Sequence, residues 1–526
     1  MKKLMFGAAT MVLAAACAQG EAPAEVTIAE PTLKELTVRA GDPAEAADAL
    51  AAMALGESGS GVLSFAGSTT DGADATFTDL TIDGLEGLNV GSLVFEGLEM
   101  DGETASFGKM SFSDIVIAPE DEDVDVKLSS IELINPSPEL AAWLAASLNG
   151  QQLPFPAADK VSFDSWTMSD LSGDFADTEA EGTFSLDKIE IRDLTELNAA
   201  KAVFSGLNFS AFNEAEDERV DVKLGSVTAT NLDGKFIAAI QDNIGDEDAM
   251  AAALMAAASE NPMEPGYDSF DMSDFVVDAM GVNFALPSLV AGVERNAAGQ
   301  PVKFVTEPYT MKLKADAEGG EAGEQLLQAL SVVGYEELEL KGASVGTYDP
   351  DKDMFSFDAA GNYFELTDGA KFNMGGKIEG YSGYAREAAA AFNMEDLAAG
   401  AEPDPMAMTA ALGQLTFHNI ELSIADMSLV DRTFNAVATA QGADPAALKA
   451  QASAMLAAAP MMAGGTGIDG ALIAEATTAL GSFINNGGTL TLKMEPADPL
   501  SVASIMENPD PSAYTKDALG FTATQN

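Results

Sequence analysis

The chain has 526 residues, of which 84 are acidic and 26 are basic, so its formal net charge is −58. This charge excludes binding to nucleic acid, and docking on anionic lipid through a basic patch, because both need clustered lysine and arginine. A hydrophobic content of 47% predicts a folded chain, while one cysteine and one histidine exclude an internal disulfide and a zinc site built from those residues.

The first residues have the pattern of an export signal. A positive start at residues 1–3 precedes an apolar run of about ten residues, which is too short to span a bilayer. Three alanines, Ala14 to Ala16, then lead to Cys17. This leader resembles the lipobox of bacterial lipoproteins, although Ala14 stands where that family usually has leucine. The resemblance implies that Cys17 becomes an acylated first residue, and Ala18 implies sorting to the outer membrane. The alternative is an ordinary secretory leader cut near Ala16 or Ala18.

A pentapeptide repeat organises the body of the chain. Val-Asp-Val-Lys-Leu stands at 124–128 and again at 220–224. In each copy the apolar residues alternate as in a half-buried strand, and a small polar pair then shifts the phase. Both copies therefore predict a strand with a β-bulge or a tight turn at this point.

The elements around the repeat predict an α+β protein. It would consist of repeated curved antiparallel β-sheet units, each crossed by an Ala-rich helix, and a helical C-terminal segment. In unit one, Ser137 and Pro138 start the helix, and in unit two helices are predicted at 236–244 and 248–259. The predicted parts are a signal peptide at 1–16, a lipid-anchored tether and short helix at 17–61, repeat units at 62–175 and 176–285, a degenerate third unit at 286–426 and an Ala-rich helical segment at 427–526.

The later elements are predicted in the same way. The third unit would contain strands at 309–315 and 338–348, a hairpin turn at 349–351, a helix at 385–399 and a strand at 415–424. The last hundred residues predict helices at 428–442, 445–459 and 469–484, a strand at 488–494, a short helix at 500–506 and a loose tail.

One motif is typical of a serine nucleophile. Gly342-Ala343-Ser344-Val345-Gly346 matches the G-x-S-x-G pattern, which needs a strand-to-helix elbow and a histidine base. The residues on both sides are typical of a strand, and the one histidine, His418, lies in an alternating strand pattern. We therefore expect a structural serine and a structural histidine, and no catalytic residue.

Two acidic patterns are weak candidates for a Ca²⁺ site. Asp349, Asp351 and Asp353 are spaced as at the start of a calcium loop, but the glycine and glutamate that such a loop needs are missing. The acidic loops at 120–125 and 214–221 occupy the same place in the two repeats. Solvated turns that discourage aggregation are the simpler interpretation. The metal candidates are Glu120, Asp121, Asp123, Asp349, Asp351 and Asp353.

The sequence favours a non-catalytic cell-envelope lipoprotein with a structural or interaction role. It would be exported and held on a membrane by its lipid anchor, facing the periplasm or the cell surface, without a cofactor. The alternative is a periplasmic carrier that holds lipid or another apolar ligand, because the strands are amphipathic and the helices contain adaptable methionines. A hydrolase is a distant third. A protein partner or an apolar ligand is expected, and a nucleic acid is not.

Overall fold

The structure is a computed structural model that describes residues 30–85, 87–118, 124–176, 180–213, 218–235, 263–316, 320–391, 405–462, 467–507 and 510–526. Its contacts divide the chain into two compact units. Among the described residues, the N-terminal unit comprises those within 30–235 and 266–280, and the C-terminal unit comprises those within 263–265 and 281–526. The described residues are mostly in antiparallel strands with fewer in helices, in agreement with the predicted α+β class.

The N-terminal unit is an antiparallel meander in which most strands pair with the next along the chain. The pairing order is β1-β2-β3-β6-β7-β8-β9-β10-β11-β12, and β4 and β5 form a separate hairpin. The strands are β1 Leu63–Asp71, β2 Asp74–Ile82, β3 Leu88–Glu96, β4 Glu99–Asp101, β5 Thr104–Ser106, β6 Lys109–Ile117, β7 Val124–Ile134, β8 Ser162–Ala176, β9 Glu181–Thr195, β10 Asn198–Asn213, β11 Glu218–Leu232 and β12 Ser269–Ala279.

Two helices, α1 (Ala46–Ala52) and α2 (Pro138–Leu148), contribute to the core of this unit. The predicted start of α2 is confirmed: the hydroxyl of Ser137 accepts a hydrogen bond from the Leu140 amide, and Pro138 is the first helical residue. The core is dominated by aromatic and aliphatic side chains from the first strands. Its largest fully buried members include Phe77, Phe95, Phe107, Met53 and Leu93.

The phase shift after the pentapeptide is not a bulge with an extra residue in one strand. Leu128 pairs with Ile115 and Ser130 pairs with Ser113, so the register between β6 and β7 is the same on both sides. Instead the neighbouring strand has a residue of positive φ at this level, Asp114 at 54°. Such a residue reverses the pleat, and the apolar side chains on both sides therefore face one core. Alternate strands repeat the device, at Asp79, Asp170, Gly206 and Asp274.

The segment before α1 is held against the N-terminal unit from Lys34 onward. The Lys34 amide donates to Asp193, and the Arg39 guanidinium donates to Ser106 and to the Phe107 carbonyl. Within the described residues, the part of the predicted 17–61 tether from Lys34 to α1 is therefore bound to the unit.

The C-terminal unit is also antiparallel. β13 pairs with β14, and β14 with β15; β16 and β17 lie between β15 and β18; β18 pairs with β19, β19 with β20 and β21, and β20 with β22. The strands are β13 Val282–Arg295, β14 Pro301–Ala315, β15 Glu337–Asp349, β16 Met354–Phe357, β17 Tyr363–Leu366, β18 Ala370–Glu379, β19 Thr416–Asp426, β20 Gly488–Met494, β21 Leu500–Ser501 and β22 Thr522–Gln525. The helices are α3 Glu321–Val332, α4 Tyr381–Ala391, α5 Pro405–Leu412, α6 Leu429–Gln441, α7 Pro445–Met462, α8 Gly470–Asn486, α9 Val502–Glu507 and α10 Lys516–Leu519.

Most predicted elements of the last hundred residues are confirmed. The three long helices are α6, α7 and α8, and the strand predicted at 488–494 is β20. The tail is not loose, because β22 pairs with β20 and the Ala523 amide donates to the carboxylate of Glu475. Helix α3 was not predicted. The helices predicted at 236–244 and 248–259 lie outside the described residues.

Candidate functional site

The two pentapeptide copies contribute to the same surface of the N-terminal unit. Their Asp and Lys side chains line a groove of about 340 Å³ that crosses strands β7 to β11. Asp125 and Lys127 come from β7, and Asp221 and Lys223 come from β11. The groove is thus bounded on two sides by identical sequences, which the linear repeat alone did not reveal.

Strand register arranges the groove residues in two rows, and we call this surface the polar groove. The first row runs Asp125, Asp174, Thr183, Ser210 and Asp221 across five strands. The second row runs Lys127, Ser172, Ser185, Asn208 and Lys223. Each row therefore has a charged residue at both ends and hydroxyl or amide side chains near its middle.

Charges in the polar groove are partly paired. Arg219 donates to both oxygens of Asp221, at 2.6 and 3.1 Å, and these bonds hold the pKa of the Asp221 carboxyl below its ordinary value. Lys127 Nζ lies 3.3 Å from Oδ2 of Asp125. The other oxygen of Asp125, Oδ1, is shielded from solvent and has no hydrogen-bond partner in the structure. This oxygen is an unused acceptor in the groove.

The opposite face of the same strands is apolar. Gly173 and Gly182 are covered by the rings of their register partners, Phe184 and Phe175. The ring of Phe175 also stacks on that of Phe209, with a centroid distance of 6.0 Å. All three phenylalanines are only half-buried. The face therefore presents aromatic surface that the glycines allow to lie close to the sheet.

A second apolar surface lies on the C-terminal unit, and we call it the apolar patch. It consists of Phe364 on β17, Phe372 and Met374 on β18, and Leu422 on β19, which are 39%, 39%, 39% and 42% exposed. Phe364 pairs with Phe372, and Met374 pairs with Leu422. Because the four residues lie in register, they form one continuous surface.

The apolar patch begins at the edge of the area of the sheet that helix α8 covers. Ile424 on β19 pairs with Phe372 on one side and with Leu490 on the other. Ile424 and Leu490 belong to the small core that α8 closes with Ala479 and Phe483. The same sheet face is therefore a packed core at β20 and an exposed apolar surface at β17 and β18.

The G-x-S-x-G residues form part of a strand, as expected. Ser344 is 4% exposed in the middle of β15. A Cβ on Gly342 would lie 2.5 Å from the Tyr309 hydroxyl, and one on Gly346 would lie 2.3 Å from the ring of Phe355. The two glycines thus make room for aromatic rings of neighbouring strands, which explains the motif without a nucleophile.

His418 does not belong to the strand next to Ser344. It lies on β19, whose partners among the described strands are β18, β20 and β21, whereas Ser344 lies on β15. Its Nε2 is 2.9 Å from Oε2 of Glu379 on β18. The histidine is thus part of a cross-strand polar pair.

The carboxylates of the 349–353 turn form hydrogen bonds and an ion pair within the turn and with the start of α4. Asp353 accepts hydrogen bonds from the hydroxyl of Tyr348 and from the amide and hydroxyl of Ser382 at the start of α4. Burial and the bond to Asp353 raise the pKa of Tyr348 to about 12. Asp349 pairs with Lys352, and Asp349 pairs in register with Met354 on β16, which confirms the hairpin.

Cys17, Glu120, Asp121 and Asp123 lie outside the described residues. Within the described ranges, no three Asp, Glu, His or Cys side chains are grouped so that they could hold a metal ion. Nor does any described helix combine the length and apolar character that crossing a membrane requires.

A family model described as "Uncharacterized protein" matches residues 363–526, so this segment is similar to that family. No curated protein matches the chain at a significant level. The matched segment starts at Tyr363, the first residue of β17, and contains the whole apolar patch.

Proposed function

We propose that the chain is a non-catalytic cell-envelope protein that acts by binding another protein through the apolar patch. The observation that carries this proposal is the exposure of Phe364, Phe372, Met374 and Leu422 on one sheet face. Isolated exposed apolar residues are common on protein surfaces, but a contiguous set in register is a signature of an interaction surface.

The form of the patch favours a protein over a small molecule. Small ligands are held in concave pockets that enclose most of their surface, whereas the patch is the open face of β17, β18 and β19. Aromatic and methionine side chains are enriched at the centres of protein interfaces, where aromatic rings bury a large area for few rotatable bonds. Phe364, Phe372 and Met374 supply these types, and Met374 adapts its shape to a partner.

Cell-envelope placement rests on the leader. Under this proposal, Cys17 is acylated after export and anchors the chain to the outer membrane, where two or more acyl chains hold it stably. The chain then reaches partners in the periplasm or on the cell surface. Under the same proposal, the segments around the two pentapeptides are repeat units of the body of the chain.

Under this proposal the body of the chain is non-catalytic, because packing explains the nucleophile pattern. Gly342 and Gly346 are required by the rings of Tyr309 and Phe355, and Ser344 is buried in its strand. A buried serine in a regular strand lacks the exposed elbow that acyl transfer needs.

A second candidate function, the carriage of lipid or another apolar ligand, is supported by a different surface. The half-buried rings of Phe175, Phe184 and Phe209 form an aromatic surface on the face opposite the polar groove. An acyl chain lying across these rings would gain about 0.8 kcal/mol for each buried methylene. Co-purification of a lipid in fixed stoichiometry would make this candidate the leading one.

Site-specific photocrosslinking tests the proposed function. A photoreactive residue is placed at Phe372 or at Leu422 in the full chain and activated in intact envelopes. We expect one protein adduct of the same mass from both positions. The exposed Lys377 of the same strand is the matched control and should give none. Adducts of lipid alone, or equal labelling at Lys377, would contradict a protein partner.

A further inference from the structure

We propose that the polar groove is a binding site for an uncharged linear glycan that lies across the strands of the N-terminal unit. The proposal goes beyond the protein partner of the apolar patch, because it concerns another surface and another class of ligand. It rests on the position of the pentapeptide copies, the chemistry of the groove floor, its charge balance and one unused acceptor.

The two pentapeptide copies are related by a shift across the sheet. Strands β7 and β11 are separated by three antiparallel strands, so they run in the same direction. Four strand spacings place the copies roughly 19 Å apart. The same Asp-x-Lys pair is therefore presented twice along one line. A polymer with a repeating unit matches such an arrangement, because successive units can make the same contacts.

The floor between the two copies suits hydroxyl groups. It includes Ser172, Thr183, Ser185, Ser210 and Asn208, whose side chains donate and accept hydrogen bonds, and Gly173, Asp174, Phe184 and Phe209 also line it. The direction of the groove disfavours an extended peptide, because the backbone groups of these strands are already used in the ladder. A peptide binds a sheet by adding a strand at its edge, whereas a glycan is bound through side chains.

The groove differs from the rest of the chain in its net charge. The carboxylates of Asp125, Asp174 and Asp221 and the two cations Lys127 and Lys223 line the groove, and Arg219 beside it pairs with Asp221. The groove is therefore close to neutral in a chain whose formal charge is −58. A polyanion would be repelled by the surrounding surface, and a polycation would find more favourable carboxylates elsewhere. An uncharged ligand avoids both costs.

The unused oxygen of Asp125 marks one contact. Oδ1 is shielded from solvent and accepts no hydrogen bond, while Oδ2 lies 3.3 Å from Lys127 Nζ. The Asp125 side chain is 46% exposed, so a ligand can reach it, and a hydroxyl or amide N–H of a ligand would give Oδ1 a donor. In the second copy, both carboxylate oxygens of the corresponding residue, Asp221, already accept hydrogen bonds from Arg219. We therefore assign the tighter subsite to the β7 side.

Calorimetric titration with N-acetylglucosamine oligomers, from the disaccharide to the hexasaccharide, tests the inference on the full chain. Affinity should rise with length until the oligomer reaches from β7 to β11. Asp125→Ala should weaken binding by about tenfold, the usual effect of losing a hydrogen bond to a charged group, and Lys223→Gln should weaken only the longer oligomers. Lys314→Gln, an exposed position on β14, is the control and should leave binding unchanged.

Three outcomes would overturn the inference. No heat of binding with any oligomer overturns the inference, as does binding that Asp125→Ala and Lys223→Gln leave unchanged while both variants melt like the wild type. A tighter response to a lysine-rich peptide than to any oligomer assigns the groove to cations and also overturns it. None of these results bears on crosslinking at Phe372, so the two proposals fail separately.

Discussion

The ring of Phe184 lies directly over Gly173, its register partner on the neighbouring strand, and a Cβ on that glycine would stand 2.6 Å from the Phe184 ring. The next pair along the strands, Phe175 and Gly182, repeats the arrangement with the roles of β8 and β9 exchanged. Each glycine therefore allows one aromatic ring to lie flat on the sheet. This packing forms the apolar face opposite the polar groove.

Replacing Gly173 by valine should destabilise the N-terminal unit. The new side chain would push the Phe184 ring away from the sheet, and overpacking of this kind costs about 1–3 kcal/mol. Urea denaturation followed by circular dichroism measures the change in the free energy of unfolding. Ser172→Thr, which adds a methyl group on the other face of β8, is the control and should change stability by less than about 0.5 kcal/mol. Equal stability of Gly173→Val and wild type would contradict the packing.

Replacing Asp170 by glycine should leave the stability of the unit intact, whereas replacing it by valine should lower the stability. Its φ of 54° is a left-handed conformation that a β-branched residue adopts only with strain. We expect Asp170→Val to lower the free energy of unfolding by about 2 kcal/mol, whereas Asp170→Gly should be neutral or stabilising by up to about 1 kcal/mol. Thermal melts of the two variants check this order. The reverse order would mean that the pleat reversal does not depend on backbone conformation at this residue.

Gly346 should matter more for stability than Ser344. A Cβ on Gly346 would lie 2.3 Å from the ring of Phe355, which is itself 3% exposed. We expect Gly346→Ala to cost about 1–3 kcal/mol and Ser344→Ala to cost less than about 1 kcal/mol. Guanidinium unfolding of both variants measures the difference. A larger loss of stability for Ser344→Ala than for Gly346→Ala would contradict the packing explanation of the motif and would favour the hydrolase hypothesis again.

Acid should destabilise the C-terminal unit partly through Glu339. Hydrogen bonds from Lys341, Thr367 and Lys312 lower the pKa of its carboxyl from 4.5 to about 2. Between these values the unfolded chain binds more protons than the folded chain, so stability rises with pH in this window. The contribution of Glu339 is complete above about pH 4.5 and is lost as the pH falls toward about 2.

Melting temperatures measured across this window compare the wild type with Glu339→Gln. The variant should lose less stability on acidification, because its amide does not titrate. Glu337→Gln, at an exposed position two residues earlier in the same strand, should follow the wild type. Parallel curves for Glu339→Gln and the wild type would show that the hydrogen bonds do not depress this pKa in solution.

Local patterns predicted much of the fold. Alternation predicted β7 and β20, and the pair Ser137–Pro138 predicted the start of α2, because these signals depend on neighbours in the sequence. The phase shift after Leu128 was visible too, but its cause was not. The positive φ lies in the neighbouring strands, at Asp114 and Asp170, which the pentapeptide does not contain.

Both candidate surfaces depend on strand register, which composition and periodicity do not determine. Asp125 and Asp221 were recognised as a repeat, but only the intervening strands β8 to β10 place them at two ends of one groove. Similarly, Phe372 and Leu422 each follow an ordinary strand pattern. Their exposure follows from the fact that α8 covers β20 and stops short of β18, an arrangement that no local signal contains.

Native mass spectrometry of the full chain purified from envelopes tests the central claim most directly, when the wild type is compared with the double variant Phe372→Thr/Leu422→Thr. Threonine keeps the β-propensity of both positions, and a cooperative thermal melt of the variant checks that it is folded. We predict that the wild type carries one companion protein in fixed stoichiometry and that the double variant carries none. A wild type without a companion protein, or a companion that the double variant retains, would contradict binding through the apolar patch.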